Sequence, residues 1–198
     1  MGLVQNSIGL RWETVLNERY PELESTSGDL NVPDFHHPSG FWVEAKAGNR
    51  LWGGRVKEFQ FEQESELDEP VVYAFGMHNL DEATRRLKQK TERGRQRFLE
   101  QNMAFVETYF VSGEIVKKLF EREKRVSAKM GLVYCMVKPS TLRNILLDRA
   151  FHRFGKQITS SSNYYEFNRS KYRIGFDGKV GYILDKRTDG SVARVLLI

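Results

Sequence analysis

The chain has 198 residues, 40% of them apolar, with 13 Phe, 8 Tyr and 3 Trp, enough to fill a domain-sized core and to exclude wholesale disorder. Its formal net charge of +5 favours polyanionic partners. One cysteine, Cys135, excludes an intramolecular disulfide and a cysteine zinc site; the start MGLVQNSIGLRWE has no apolar signal core, and no stretch nears membrane-spanning length, so a cytoplasmic protein with no membrane partner is expected.

In chain order, Ile8, Trp12, Val15 and Leu16 recur at helical spacing, which predicts a helix over Ile8–Tyr20, stopped by Pro21. Glu13 lies beside that apolar stripe. Glu24–Asp29 reads as a polar loop, Leu30–Phe35 as a short strand and His36–Gly40 as a turn. Phe41–Ala47 alternates as a strand, with Phe41, Val43 and Ala45 on one face and Trp42, Glu44 and Lys46 on the other. Gly48–Gly54 is then a loop and Val56–Leu67 a helix. Val71–Met77 is a near-continuous apolar run of the central-strand kind. Leu80–Asn102 reads as a long charged helix, Gly113–Arg125 as a helix capped by Ser112, and Leu132–Val137 as a buried strand. Ser140 is the expected cap of a helix over Thr141–Asp148. Cys135 reads as a small buried hydrophobe. Thr159–Asn163 serves as a linker, and the runs Lys171–Phe176, Lys179–Leu184 and Val192–Ile198, punctuated by Asp-Gly, predict a three-stranded antiparallel meander.

The chemistry concentrates in Val32-Pro33-Asp34, a gap of nine residues, and Glu44-Ala45-Lys46 within an apolar strand. Charges inside a sheet are costly unless paired or bound to metal. Two nearby carboxylates repel, and a hard divalent cation relieves that repulsion, so Asp34, Glu44 and the carbonyl of Ala45 form an oxygen set suited to Mg²⁺, with Mn²⁺ as a substitute. Lys46 beside them suits an attacking water or a phosphate.

A Pro-Asp followed by Glu-x-Lys on a strand resembles the signature of the PD-(D/E)XK nuclease superfamily, which includes restriction endonucleases and archaeal Holliday junction resolvases. The resemblance covers about residues 8–77. It implies an α/β fold with a mixed central sheet flanked by helices, in a restriction-endonuclease-like core over residues 1–158 with a helical insertion, and a C-terminal meander appended over 159–198. It implies Mg²⁺-dependent hydrolysis of DNA, with Asp34, Glu44, Lys46 and Glu13 catalytic; Asp34, Glu44, Ala45 and Glu13 holding the metal; and Gln60 or Gln63 orienting Lys46 or the nucleophile. The strand that precedes the Pro-Asp strand in that family is not legible here.

Arg50 and Arg55, with the glycine-containing loop, are expected phosphate contacts, and so are Arg85, Arg86, Lys88, Lys90, Arg93, Arg95 and Arg97, where one-signed charge at such density repels itself without an anionic partner. His36 and His37 read as surface residues of a turn. The expected function is a restriction-like endonuclease on double-stranded or branched DNA, with a homodimer favoured by two cuts across a duplex. A junction-resolving nuclease and a non-catalytic nucleic-acid-binding protein on the same fold are the alternatives.

Overall fold

The computed structural model describes residues 2–26, 31–38, 40–80, 91–128, 131–142 and 144, and the strand backbones at 159–161, 164–167, 170–177, 180–186 and 192–197. Helix α1 (Gly2–Arg19) extends well ahead of its apolar stripe, and Ile8, Trp12, Val15 and Leu16 are all buried. Pro21 follows its end, as the missing proline N–H requires. The chain then enters β1 (Glu24–Ser25), β2 (Phe35–His37), β3 (Phe41–Asn49) and β4 (Gly53–Lys57), which lead into α2 (Glu58–Glu64) and β5 (Val71–His78). After α3 (Glu92–Asn102) come β6 (Phe105–Ser112), α4 (Gly113–Glu123), β7 (Arg125–Val126) and β8 (Val133–Val137).

These eight strands form one mixed, mostly antiparallel open sheet flanked by helices. Strand β5, buried at every residue, runs parallel to β3 on one side and antiparallel to β6 on the other. The opposite edge of β3 is divided. Strand β2 pairs with its start, at Phe41–Val43, and β4 with its end, at Gly48 and Asn49. Strand β4 continues the sheet through β8 to β7.

Helix α1 covers one face. The Trp12 indole Nε1–H donates to the carbonyl of Ala74 at 2.8 Å, and its ring stacks obliquely on Phe105 at 4.6 Å. Helix α3 joins α1 through polar contacts: buried Arg95 donates from Nε to Ser7 Oγ at 3.0 Å, and Gln96 donates to the Ser7 carbonyl at 2.8 Å. Helices α2 and α4 meet on the other face, where Phe61 lies against Phe120 and Tyr73. No described helix is long and apolar enough to cross a membrane.

Several boundaries differ from the sequence expectation. Residues 31–34 form a turn and bend, and the strand begins at Phe35 and takes in His36 and His37. Pro33 has no N–H for a ladder, so pairing starts beyond it. The loop at Gly48–Gly54 shrinks to residues 50–52, because Gly48 and Asn49 pair with Gly54 and Gly53. Val56 and Lys57 belong to β4 rather than to a helix, since β8, distant in sequence, pairs with them. Leu80 is buried beyond β5 and not helical; α3 starts at Glu92, where Thr91 Oγ1 accepts from Gly94 N at 3.2 Å. Strand β6 was not expected at all, and the two-residue β1 lies within the expected polar loop. The chain is already helical at 139–142, so Ser140 lies inside that turn and not at its cap. Pro139 opens it, where a missing N–H costs nothing.

The three C-terminal strands appear as β11 (Ser170–Asp177), β12 (Val180–Lys186) and β13 (Val192–Leu197). Two more, β9 (Thr159–Ser161) and β10 (Tyr164–Phe167), extend them to a five-stranded antiparallel sheet, so the expected linker at Thr159–Ser161 is a strand. Residues 81–90, 145–158 and the Asp-Gly turns at 178 and 190 lie outside the described residues.

Gly76 fixes the approach of α1 to the sheet: a Cβ there would stand 2.4 Å from the Trp12 ring. Gly76→Ala must therefore lift the helix or distort the strand, at a cost of about 3 kcal/mol. Chemical denaturation of the variant beside wild type measures this, and a loss below about 1 kcal/mol would show the α1 packing to be loose.

Candidate active site

On the divided edge of β3, residues 44–47 have no strand neighbour among the described residues. The Ala45 amide faces this edge, and its N–H donates to Asp34 Oδ2 at 2.7 Å. Within an extended strand the N–H and C=O of one residue point to the same edge, so the Ala45 carbonyl opens there too. Asp34 is held at the edge by its backbone. Its carbonyl accepts from Thr26 N at 3.0 Å, the Thr26 hydroxyl donates to the Pro33 carbonyl, and Pro33 is buried.

The β3–β5 register pairs Glu44 with Tyr73 and Lys46 with Phe75. This puts both charged side chains on the face covered by α2 and α4. Lys46 Nζ and Gln60 Nε2 both donate to Glu44 Oε1. Gln60 is buried, and its own Oε1 accepts from Lys57 N at 3.0 Å, which locks the amide in the orientation that serves Glu44. Of the two glutamines read from the sequence, Gln60 is bonded to Glu44. Glu13 comes from α1, on the opposite face, yet it feels the charges of Lys46 and Glu44.

Burial pushes the Asp34 carboxyl up to about 7, with Glu44 adding repulsion and Lys46 and the Ala45 N–H pulling the other way. Glu13 is raised by burial, against the attraction of Lys46. A fourth carboxyl, Glu64, was not picked out in the sequence. Burial raises it to about 7 although the Tyr73 hydroxyl donates to it, and it too senses Glu44 and Lys46. Tyr73 is in turn pushed well above the usual phenol range by burial and by Glu64. The signal for Glu64 was present: it stands four residues after Gln60 on α2, one turn along the same side of the helix.

Carboxyl groups thus gather around the ammonium of Lys46, and the acceptors that face the open edge are oxygens. That donor type and excess negative charge fit a hard divalent cation, with Asp34, Glu44 and the Ala45 carbonyl as holders. In the side-chain positions seen, no three His, Cys, Asp or Glu groups among the described residues converge as a metal cage. Lys46 supplies the positive charge at Glu44 instead.

The histidines have other neighbours: His36 Nε2 lies 2.7 Å from Glu69 Oε2 and its ring meets Trp42, while His37 stacks on Phe41 at 4.4 Å. Of the expected phosphate contacts, Arg93, Arg97 and Arg55 are exposed and Arg50 is half-buried. Arg55 lies over the Tyr134 ring at 4.9 Å. Arg95 departs from the expectation, since it is buried and committed to Ser7 and Glu92. Arg85, Arg86, Lys88 and Lys90 lie outside the described residues. Cys135 is buried as expected, and burial raises its thiol to about 11.

No family model, curated protein or solved structure matches this chain.

The raised carboxyls set a pH dependence. An acid whose pKa is higher in the folded state than in the unfolded chain stabilises the fold below its unfolded pKa, and that contribution is lost as pH rises through the folded value. For Asp34 the window runs from 3.8 to about 7. Asp34→Asn, which keeps an oxygen for the Ala45 N–H, should melt higher than wild type by at least about 3 °C at pH 8 in EDTA, and the gain should vanish near pH 4. Melting curves across this range test it; a difference independent of pH would show Asp34 to be ordinarily solvated.

Proposed function

We propose that this chain is a Mg²⁺-dependent endonuclease hydrolysing DNA phosphodiester bonds, with its active site at the unpaired edge of β3. The observation that carries this reading is the convergence of Asp34, Glu44, Lys46 and Gln60 where the sheet leaves a strand edge open. An open edge lets a phosphate approach the backbone of Ala45, which a complete sheet would bury.

A divalent cation bound by Asp34, Glu44 and the Ala45 carbonyl would polarise the phosphoryl oxygen and lower the pKa of a bound water. The chain's own residues do the rest. Asp34 keeps the Ala45 amide and carbonyl turned to the opening. Gln60 fixes Glu44 and thereby the position of Lys46. Lys46, one position from Ala45 on the same strand, would orient an attacking water and offset phosphate charge. Glu13 adds negative charge from the far side of the edge. The net charge of +5 supports a polyanionic substrate, and exposed Arg93 and Arg97 on α3 offer phosphate contacts.

Incubating the protein with supercoiled and linear DNA, in Mg²⁺ and in EDTA, tests the activity. Lys46→Ala, purified in parallel, should cut at least about 10²-fold more slowly while binding DNA as wild type does. Equal cleavage by the variant would assign the activity elsewhere. Glu13→Gln keeps the size of the side chain and removes its charge, so it should raise the Mg²⁺ concentration needed for half-maximal cleavage. An unchanged Mg²⁺ curve would leave Glu13 as a helix-surface residue.

A further inference from the structure

Two large apolar side chains stand in solvent at the turn between β3 and β4. Leu51 is 76% exposed and Trp52 is 61% exposed. They are neighbours, and Phe59, at the start of α2, is a third exposed apolar residue in the same stretch. Isolated exposed apolar residues are ordinary, but an adjacent pair on a projecting turn is a surface in search of a partner.

The turn is built to hold them there. Asn49 pairs with Gly53, so the loop is three residues long. Gly53 takes φ +81°, the left-handed position that closes such a loop, and a Cβ there would strike the Val137 carbonyl. The Asn49 side chain accepts from Leu51 N at 2.8 Å and donates to the Leu80 carbonyl at 3.0 Å. Arg50 N donates to the His78 carbonyl at 3.2 Å. The tip is therefore anchored to β5 and to the core behind it, and its apolar pair is presented outward without a loop-ordering cost on binding.

Its surroundings identify the occupant. Arg50 adjoins the pair, and Arg55 and Lys57 follow on β4, with the Lys57 ammonium 5.2 Å from the Phe59 ring centre. Cations interleaved with exposed rings suit a phosphate backbone whose bases are free to stack, and suit an apolar protein surface or a membrane interior less. The turn begins where β3 ends at Asn49, three residues past Lys46, roughly 10 Å of extended strand, or about three base steps. In an intact duplex the bases already stack on one another, and Trp52 finds no free π-face.

We propose that Leu51 and Trp52 form a stacking wedge for unpaired nucleotides, so that the preferred substrate is a nucleic acid with a gap or fork beside the scissile phosphate. This rests on the nucleic-acid reading of the site above, and the test is made without metal so that the two can fail separately.

Binding of fluorescein-labelled DNA is measured by anisotropy in EDTA, using an intact duplex and the same duplex with a short central gap. Trp52→Ala should weaken binding to the gapped DNA about tenfold, the loss of one base–aromatic stack, and leave the intact duplex unchanged. Trp52→Phe should restore most of the difference. Unaltered melting curves will show that the exposed substitutions leave the fold intact. Wild-type tryptophan emission should be quenched by gapped DNA, and this quenching should disappear in Trp52→Ala. Equal loss on both substrates, loss on neither, or no DNA binding by wild type overturns the wedge. If the gapped-DNA effect appears but wild type cuts no DNA in Mg²⁺, the wedge stands and the hydrolytic reading falls.

Discussion

Among the described residues, strand β3 has a neighbour from Trp42 to Asn49 on the β5 side and only at its two ends on the other. Backbone donors and acceptors inside a folded protein need partners, and an interrupted ladder leaves them wanting. Here the Asp34 carboxylate takes the Ala45 N–H. A charged acceptor makes a stronger bond than a neutral one, so the substitute for the missing strand is also an anion held against the backbone. The position of the site follows from this. Glu44 and Lys46 flank Ala45, and Gln60 reaches Glu44 from the helix that follows β4. Glu13, on a helix across the sheet, acts on the same charges.

The arrangement opposes stability locally. Asp34 and Glu64 are both lifted to about 7 by burial, so near neutral pH the folded chain holds these carboxyls under strain. Such groups cluster where function requires them. The apolar frame compensates. Every residue of β5 is buried, Trp12 is fully buried and hydrogen-bonded through its indole, and α2 and α4 close the other face with Phe61 and Phe120. A rigid frame also prevents the carboxyls from drifting apart to relieve their repulsion.

The arginines of α3 and β4 divide into two kinds. Arg95 is an internal fastener, tying α3 to Ser7 of α1. Arg93, Arg97 and Arg55 face outward. One helix thus carries both structural and available cations, separated by which side of its axis each occupies. On β4 the cation Arg55 faces outward and Lys57, at the strand's far end from the turn, lies over the Phe59 ring.

Strand alternation was legible in the sequence at β3, where the period of two put Glu44 and Lys46 on one face, and the apolar run at 71–77 identified the central strand. The amphipathic spacing of Ile8, Trp12, Val15 and Leu16 identified α1. These are local properties, decided by neighbours within a few positions. The Pro33-Asp34 and Glu44-Ala45-Lys46 spacing also selected side chains that the fold brings into one electrostatic neighbourhood. Only the tertiary structure decided that the pairing of β3 with β2 stops at Val43 and with β4 begins at Gly48, since where each partner strand lies depends on segments far along the chain. Residues 56 and 57 read as helix and became strand because β8 pairs with them. Strand β6 went unseen because its pairing with β5 is non-local. The place of Glu64 one turn after Gln60 was visible in the sequence, but its burial against Tyr73 and the buried role of Arg95 were not: burial and charge neighbours arise when distant segments meet.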